Sequence, residues 1–157
     1  MTGALLESRS SEVEVLVNGV LLCSQLRDQV VLVPLWKSLE PDEARQWFKK
    51  NGPLPAVLHA PLICAGLLAA VRATQERRRG RRPGIADMAA LGVGIHAVVT
   101  LVVHVPTNIR LLVGERLASD VEVLVRRWAR WHAVRTAALA FGEVAAIGSL
   151  IETRIQR

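Results

Sequence analysis

Residues 85–105 read IADMAALGVGIHAVVTLVVHV, and a run of this length and composition is typical of a membrane-spanning helix. A helix needs about 20 predominantly apolar residues to cross the hydrocarbon core of a bilayer. Three further stretches come close to that length: 13–36, 54–71 and 133–151. The sequence therefore predicts an all-α integral membrane protein, with residues 1–157 forming a single transmembrane four-helix domain.

The charged residues lie mainly between these stretches, although the chain is 51% hydrophobic and 22% charged. They cluster in 40–50, 72–82 and 110–130. A chain with a mean hydropathy of +0.30 forms four apolar spans only if its charges are segregated in this way. A water-soluble helical bundle with a long apolar core is the alternative. It is disfavoured because 54–71 shows no periodic polar face.

The net charge of +6 raises the question of nucleic-acid binding, since residues 76–82 read ERRRGRR. A short arginine-rich loop between two apolar spans is more typical of a cytoplasmic loop resting on anionic headgroups. We therefore expect the lipid bilayer and no nucleic acid as a partner, and both termini on the cytoplasmic side.

The segment 109–130 mixes apolar and charged residues at helical spacing. This pattern predicts an amphipathic interfacial segment between the third and fourth membrane helices. The four tryptophans lie near the ends of the predicted spans, where indole rings favour the headgroup zone. We expect them to anchor the bundle at the interface: Trp36, Trp47, Trp128 and Trp131.

Polar side chains recur inside the spans, where ionisable groups are costly and are candidates for a functional site. At about 100° per residue they form stripes on the first, third and fourth helices. Because neighbouring helices are antiparallel, one set falls at the same end of the bundle: Asp28, Gln29, His59, His104, Asn108, His132 and Arg135. A second set lies nearer the middle of the membrane: Gln25, His96 and Glu143.

The histidines do not have the spacing of a metal site. There is no HExxH sequence and no ExxH pair, and His96 and His104 are two helical turns apart. We therefore predict no metal site. Each histidine taken singly can equally be a hydrogen-bonded interior residue, whereas Glu143 must be protonated, paired or hydrated.

Residues 105–108 read VPTN and residues 127–136 read RWARWHAVRT. This order of Pro-x-Asn, then Trp, then an aromatic residue or His shortly before Arg-Thr resembles the anthrone oxygenase-like family, also called DUF1772. Residues 34–41, PLWKSLEP, and a helix over 43–48 are similar to the opening of that family. The resemblance covers most of the chain and implies a small four-span membrane protein.

The resemblance further implies a tailoring enzyme of aromatic polyketide or related natural-product pathways. We expect the chain to be a multi-pass protein of the cytoplasmic membrane of a bacterium. Some members are associated with oxidation of anthrones to anthraquinones by O₂ without an obvious cofactor. A base would remove a methylene proton from a hydrophobic small-molecule substrate, and donors would stabilise the enolate oxygen. In this sequence the base would be His132 or His104, the donors Arg135 and Asn108, and Asp28 would orient a histidine or balance Arg135.

The remaining polar residues and one tryptophan are expected to line the substrate pocket: Gln25, Gln29, His59, His96, Trp128 and Glu143. Two other functions stay open. The same acids and bases could serve a membrane-embedded epoxide hydrolase or cyclase, or the bundle could be a non-catalytic subunit or carrier. Homo-oligomer formation is possible, and no motif specifies it.

Overall fold

The computed structural model describes residues 2–51, 59–68, 71, 75, 85–113 and 118–155, and they are almost entirely helical. In chain order the elements are α1 (Thr2–Arg27), a first π-helical turn (Asp28–Leu32), α2 (Val33–Ser38), α3 (Pro41–Asn51), α4 (His59–Leu68), α5 (Ile85–Val99), a second π-helical turn (Thr100–His104), α6 (Val105–Val113) and α7 (Ala118–Ile155). The prediction of an all-α chain is confirmed.

Three segments in this part of the chain are long and apolar enough to cross a membrane: Glu12–Ser38, Asp87–Val113 and Ser119–Glu152. They correspond to the first, third and fourth predicted spans. The second predicted span, 54–71, lies partly outside the described residues, and α4 is the helical part of it that the structure describes. The chain is thus an all-α membrane bundle.

The segment predicted to lie at the interface, 109–130, is divided between two helices. α6 continues the third span to Val113, α7 begins at Ala118, and residues 114–117 lie outside the described part. With 38 residues, α7 is about 57 Å long, well beyond the 30 Å or so of a hydrocarbon core. The amphipathic pattern therefore marks the first turns of α7, before the apolar span.

Apolar side chains cover the outside of the bundle, and polar side chains lie inside it. Leu16 of α1, Val98 of α5 and Val144 of α7 are 68%, 59% and 71% exposed. The buried polar and charged side chains include Glu14, Asn18, Gln25, Asp28, His96, His104, His132, Arg135, Thr136 and Glu143. A bilayer offers no water to polar groups, so the stripes predicted on these helices turn inward.

Near the same end of the bundle, the first and third spans each contain one turn of the wider π-helix. The N–H groups of Val33 and Val105 bond to carbonyls five residues earlier, and each of these valines is followed by proline. Proline has no N–H, so the regular α-helical ladder is interrupted there. The two π-helical turns contain Asp28 and His104, and turns of this kind are frequent at functional sites.

α7 packs along α5 and α1 and holds the bundle together. The crossing of α5 and α7 is tight at Gly92 and Gly142, because a Cβ on Gly92 would lie 2.5 Å from the Ala138 carbonyl oxygen. Between the polar end and the opposite half of the bundle lies an apolar layer of fully buried side chains: Leu21, Val93 and Leu139. This layer divides the interior into two polar regions.

An aromatic cluster closes the polar end. Trp36 packs against Phe48 and Trp128, with ring centroids 4.5 Å apart in each case, so that α2 and α3 fold onto the first half of α7. Trp36 and Trp128 are buried in this cluster and are not interfacial anchors, whereas Trp131 is 37% exposed. The expectation of four interfacial tryptophans was wrong for these two, because ring packing across helices buries them.

Candidate functional site

The centre of the polar end is a hydrogen-bonded pair on α7. Arg135 Nε and Nη2 both donate to His132 Nδ1, at 3.2 and 2.9 Å. His132 Nε2 lies 3.0 Å from the Gln25 backbone carbonyl. Since arginine only donates and a carbonyl only accepts, His132 is a neutral ring with its proton on Nε2. Both of its nitrogens are therefore occupied.

The third span holds the guanidinium from the other side. Arg135 Nη1 donates to Thr100 Oγ1 at 3.2 Å, and the Thr100 hydroxyl donates to the His96 carbonyl at 2.8 Å. His96 Nδ1 in turn donates to the Arg135 carbonyl at 3.4 Å. Arg135 is only 6% exposed, so these contacts replace water around a buried cation.

His104 projects toward the same group, but it contacts the group through its ring and not through hydrogen bonds. Its ring centroid lies 4.9 Å from that of Trp128 and 6.0 Å from that of His132, nearly perpendicular to both. Among the described residues, neither of its ring nitrogens makes a hydrogen bond, and a longer polar contact joins it to the Trp131 backbone. His104 is thus a fully buried imidazole with at least one ring nitrogen that the described residues leave without a hydrogen bond.

Trp128 links the members of the group. Its indole stacks on His132 with centroids 4.6 Å apart, and the Arg135 guanidinium carbon lies 5.7 Å from its ring centroid, a cation–π distance. Its Nε1 donates to Asn108 Oδ1 at 3.0 Å. Asn108 therefore positions Trp128 through its oxygen, while its amide nitrogen forms no hydrogen bond to other described residues.

Asp28 and His59 lie at the same end, as predicted, with their own direct partners. Asp28 accepts from Arg27, with Oδ1 2.5 Å from Nη2 and 3.0 Å from Nε. It also interacts electrostatically with Arg135 and His59. His59 Nε2 lies 2.6 Å from Ser24 Oγ. Arg27 is thus the direct ion-pair partner of Asp28, and Asp28 acts on Arg135 from farther away.

The second predicted set is split by the apolar layer. The hydrogen bonds described above place Gln25 and His96 at the same depth in the bundle as the pair of Arg135 and His132. Glu143 lies about 12 Å farther along α7. There Glu143 Oε1 packs over Gly19, where an added Cβ would meet it at 3.3 Å. Glu143 also interacts electrostatically with Glu14. Glu143 is therefore separated from the group around Arg135.

Gln29 lies on the wall of a cavity between α2, α3 and α7, close to the group but outside it. The described residues hold no cluster of three or more His, Cys, Asp and Glu side chains with the arrangement of a metal site. The side chains that the structure brings together are His96, His104, Asn108, Trp128, His132 and Arg135.

Chemically, the group combines a proton acceptor with hydrogen-bond donors in the buried polar interior of the bundle. His104 offers a ring nitrogen that makes no hydrogen bond to other described residues. Each terminal nitrogen of Arg135 has a second N–H beyond those already bonded, and the Asn108 amide nitrogen can donate as well. Such a set can remove a proton from a weak carbon acid and stabilise the negative oxygen that results.

Two contributors to the group were not predicted from the sequence as site residues. Thr100 bridges Arg135 and the His96 carbonyl, and Trp36 packs on Trp128. The recurrence of Thr100 every four residues with His96 and His104 was a usable signal, because it places all three on one face. The position of Trp36 depends on the chain reversal after α2. Pro41 indicates a break in the helix there, but not the direction in which α3 returns.

A family model described as anthrone oxygenase matches residues 47–145, nearly two thirds of the chain. The match runs from the end of α3 through most of α7 and includes the whole group around Arg135. No curated protein and no solved structure matches the chain.

Proposed function

The chain belongs to the anthrone oxygenase family, and on this premise we propose that it is a membrane-embedded natural-product tailoring oxygenase. Its substrate would be an anthrone-like aromatic polyketide, oxidised by direct reaction with O₂ in a cofactor-independent mechanism. The observation that carries the proposal is the position of two buried groups around one aromatic ring, Trp128. They are the Arg135 guanidinium and the imidazole of His104, whose nitrogens make no hydrogen bond to other described residues.

His104 is the better base of the two histidines considered. The Nδ1 lone pair of His132 already accepts two N–H groups from Arg135, and its Nε2 proton is committed to Gln25. A base needs a free lone pair within reach of the proton that it removes. His132 then serves as a positioning residue, because it holds the guanidinium in a fixed orientation.

The reaction begins with a carbon acid. An anthrone methylene is flanked by two rings and conjugated to a carbonyl, so removal of its proton places negative charge on the carbonyl oxygen. In our proposal His104 takes this proton. The remaining N–H groups of Arg135 and the amide of Asn108 donate to the oxygen, and donors held in place in a dry site stabilise such charge strongly.

The resulting carbanion is electron-rich enough to reduce O₂ by one electron. Recombination of the two radicals forms a carbon–oxygen bond, and the peroxide takes back the proton held by His104. Loss of water from this hydroperoxide breaks the O–O bond and removes the second methylene hydrogen, which gives the quinone carbonyl. One O₂ is consumed, one water is released and no net proton is gained or lost.

Four of the expectations from the sequence remain predictions. They are the bacterial cytoplasmic membrane, termini on its cytoplasmic side, a possible homo-oligomer and the lack of a nucleic-acid partner.

Deuterium exchange without oxygen tests the proton-abstraction step alone. The purified protein in nanodiscs is mixed anaerobically with dithranol, a hydroxylated anthrone, in D₂O, and methylene deuteration is followed by mass spectrometry. We expect faster exchange than in empty nanodiscs, and loss of the excess rate in His104→Ala. An exchange rate equal to that of empty nanodiscs would contradict the assignment of a base.

A further inference from the structure

A cavity at the polar end of the bundle is not used by the reaction steps above. It has a volume of about 750 Å³ and lies between α2, α3 and the first half of α7. Pockets for small molecules are about 300–1,000 Å³ in size. The cavity therefore has room for a molecule of three fused rings.

The wall of the cavity combines apolar and polar side chains. Val125, Ala129 and Ala133 of α7 contribute apolar surface. Trp36 Nε1 and Gln29 Oε1 belong to lining residues, are buried, and have no hydrogen-bond partner within the described ranges. Buried polar atoms normally have partners, so these two indicate a missing one. The atoms themselves lie just beneath the cavity wall, and a phenolic hydroxyl, which both accepts and donates, can satisfy either of them once its side chain turns toward the cavity.

The rim of the cavity carries cations. Arg126 is held by Glu122 one turn earlier on α7. Lys37 and Arg130 also line the cavity, and in the part of the chain that the structure describes neither forms an ion pair. Glu40 lines the cavity as well, so three cations face two carboxylates. This excess of positive charge favours ionised oxygens at the edge of an otherwise apolar ligand.

The cavity adjoins the group around Arg135. Trp36 lines it and packs edge-on against Trp128 at 4.5 Å, and Trp128 stacks on His132 at 4.6 Å. Ala129 and Ala133, which line it, lie three residues before and one residue after His132 on α7. One indole ring, that of Trp36, therefore stands between the cavity and the aromatic ring around which the reacting groups lie.

We propose that this cavity is the binding site at which the substrate arrives from the membrane surface. Its ligand is a flat aromatic molecule with several phenolic hydroxyl groups. Its phenolic hydroxyls bond to Trp36 and Gln29, and an ionised oxygen lies near Lys37 and Arg130. This inference rests on the proposed function, because it names the substrate class and the approach to the same reacting group.

Binding can be measured without turnover. Alizarin, a dihydroxyanthraquinone that is already oxidised, is titrated into the protein in phosphatidylcholine nanodiscs, and quenching of tryptophan fluorescence gives Kd. Ala133 is an exposed residue at the outer edge of the cavity, and Ala133→Phe narrows it there. Ala137→Phe adds the same bulk one turn farther along the same exposed face of α7, outside the cavity. Lys37→Gln removes a rim charge from an exposed position, and keeps the test valid if Ala133→Phe fails to fold.

We expect Kd to rise at least tenfold in Ala133→Phe and several-fold in Lys37→Gln, with Ala137→Phe unchanged. Equal Kd values in all four proteins would overturn the inference. Loss of alizarin binding when phosphatidylglycerol replaces part of the phosphatidylcholine would also overturn it, since the cavity would then be a lipid site. Because alizarin binding needs no catalysis, an inactive protein that binds it in this way refutes the oxygenase and leaves the cavity assignment standing.

Discussion

Arg135 and His132, one turn apart on α7, share a single acceptor: two nitrogens of the guanidinium donate to Nδ1 of the imidazole. This contact fixes the tautomer of His132, whose other nitrogen donates to the Gln25 carbonyl on α1. It also fixes the guanidinium plane, so that the remaining N–H groups keep a constant direction. The pair thus joins two spans and presents a rigid set of donors.

Replacement of Arg135 should abolish most of the activity while leaving a folded membrane protein. In Arg135→Ala we expect kcat to fall by about 100- to 1,000-fold, the usual loss when a donor to a developing oxyanion is removed. Arg135→Lys keeps the charge but cannot donate from two nitrogens to one acceptor, so it should restore little. Oxygen consumption at saturating anthrone, with size-exclusion elution as the control for folding, measures both effects. Full activity in Arg135→Ala would refute its role.

His104 and His132 should respond differently to substitution. In His104→Ala the base is lost, and we expect kcat to fall by about 100- to 10,000-fold. Added imidazole should recover part of this rate, because the deleted ring leaves space of its own size. His132→Gln keeps hydrogen-bonding groups near Arg135 and should retain more activity than His104→Ala. The opposite ranking, with imidazole rescuing only a His132→Ala variant, would assign the base to His132.

The sequence predicted this end of the bundle because the helical angle alone sorts polar residues into stripes. It placed His104, Asn108, His132 and Arg135 at one level, and the structure brings them together. It could not show which nitrogen meets which acceptor. That depends on side-chain rotamers and on contacts across spans, such as the one between His132 and a backbone carbonyl more than 100 residues away.

Asn108 and Trp128 should be coupled. Trp128→Phe removes the Nε1 donor to Asn108, which is worth about 0.5–1.5 kcal/mol for a typical hydrogen bond. If Asn108 acts only by positioning Trp128, Asn108→Ala should cost no further activity in the Trp128→Phe background. If its amide nitrogen also donates to the substrate oxygen, as we propose, a further loss remains. A double-mutant cycle on kcat/KM separates the two cases.

The contact between α5 and α7 should be sensitive to a single methyl group. Gly92→Ala places a Cβ 2.5 Å from the Ala138 carbonyl oxygen, so the helices must move apart, at a cost of about 1–3 kcal/mol. Gly94 is two residues away in the same helix, and a Cβ there would meet nothing within 4 Å. A lower Tm in Gly92→Ala, with no loss in Gly94→Ala, is the expected result. Equal Tm values would show that the helices do not approach so closely.

Other differences from the sequence prediction have physical causes of the same kind. Glu143 shares a helical face with Arg135, yet Leu139 lies between them and joins the apolar layer that separates the two polar regions. Asp28 and Arg27 diverge by about 100° on a helical wheel, but the long arginine side chain bends back to reach its neighbour. A periodicity argument treats each side chain as a point on a cylinder. It cannot include the length of a side chain, or the apolar layers that residues of several helices form together.

Oxygen uptake coupled to product mass tests the central claim most directly. Purified protein in nanodiscs, with no added cofactor, is given dithranol under ¹⁸O₂, beside His104→Ala and empty nanodiscs. We predict one O₂ consumed per product, and a product that has lost two hydrogens and gained one ¹⁸O, with the excess rate absent in His104→Ala. A product isomeric with the substrate or heavier by water, formed without O₂ uptake, would contradict the oxygenase.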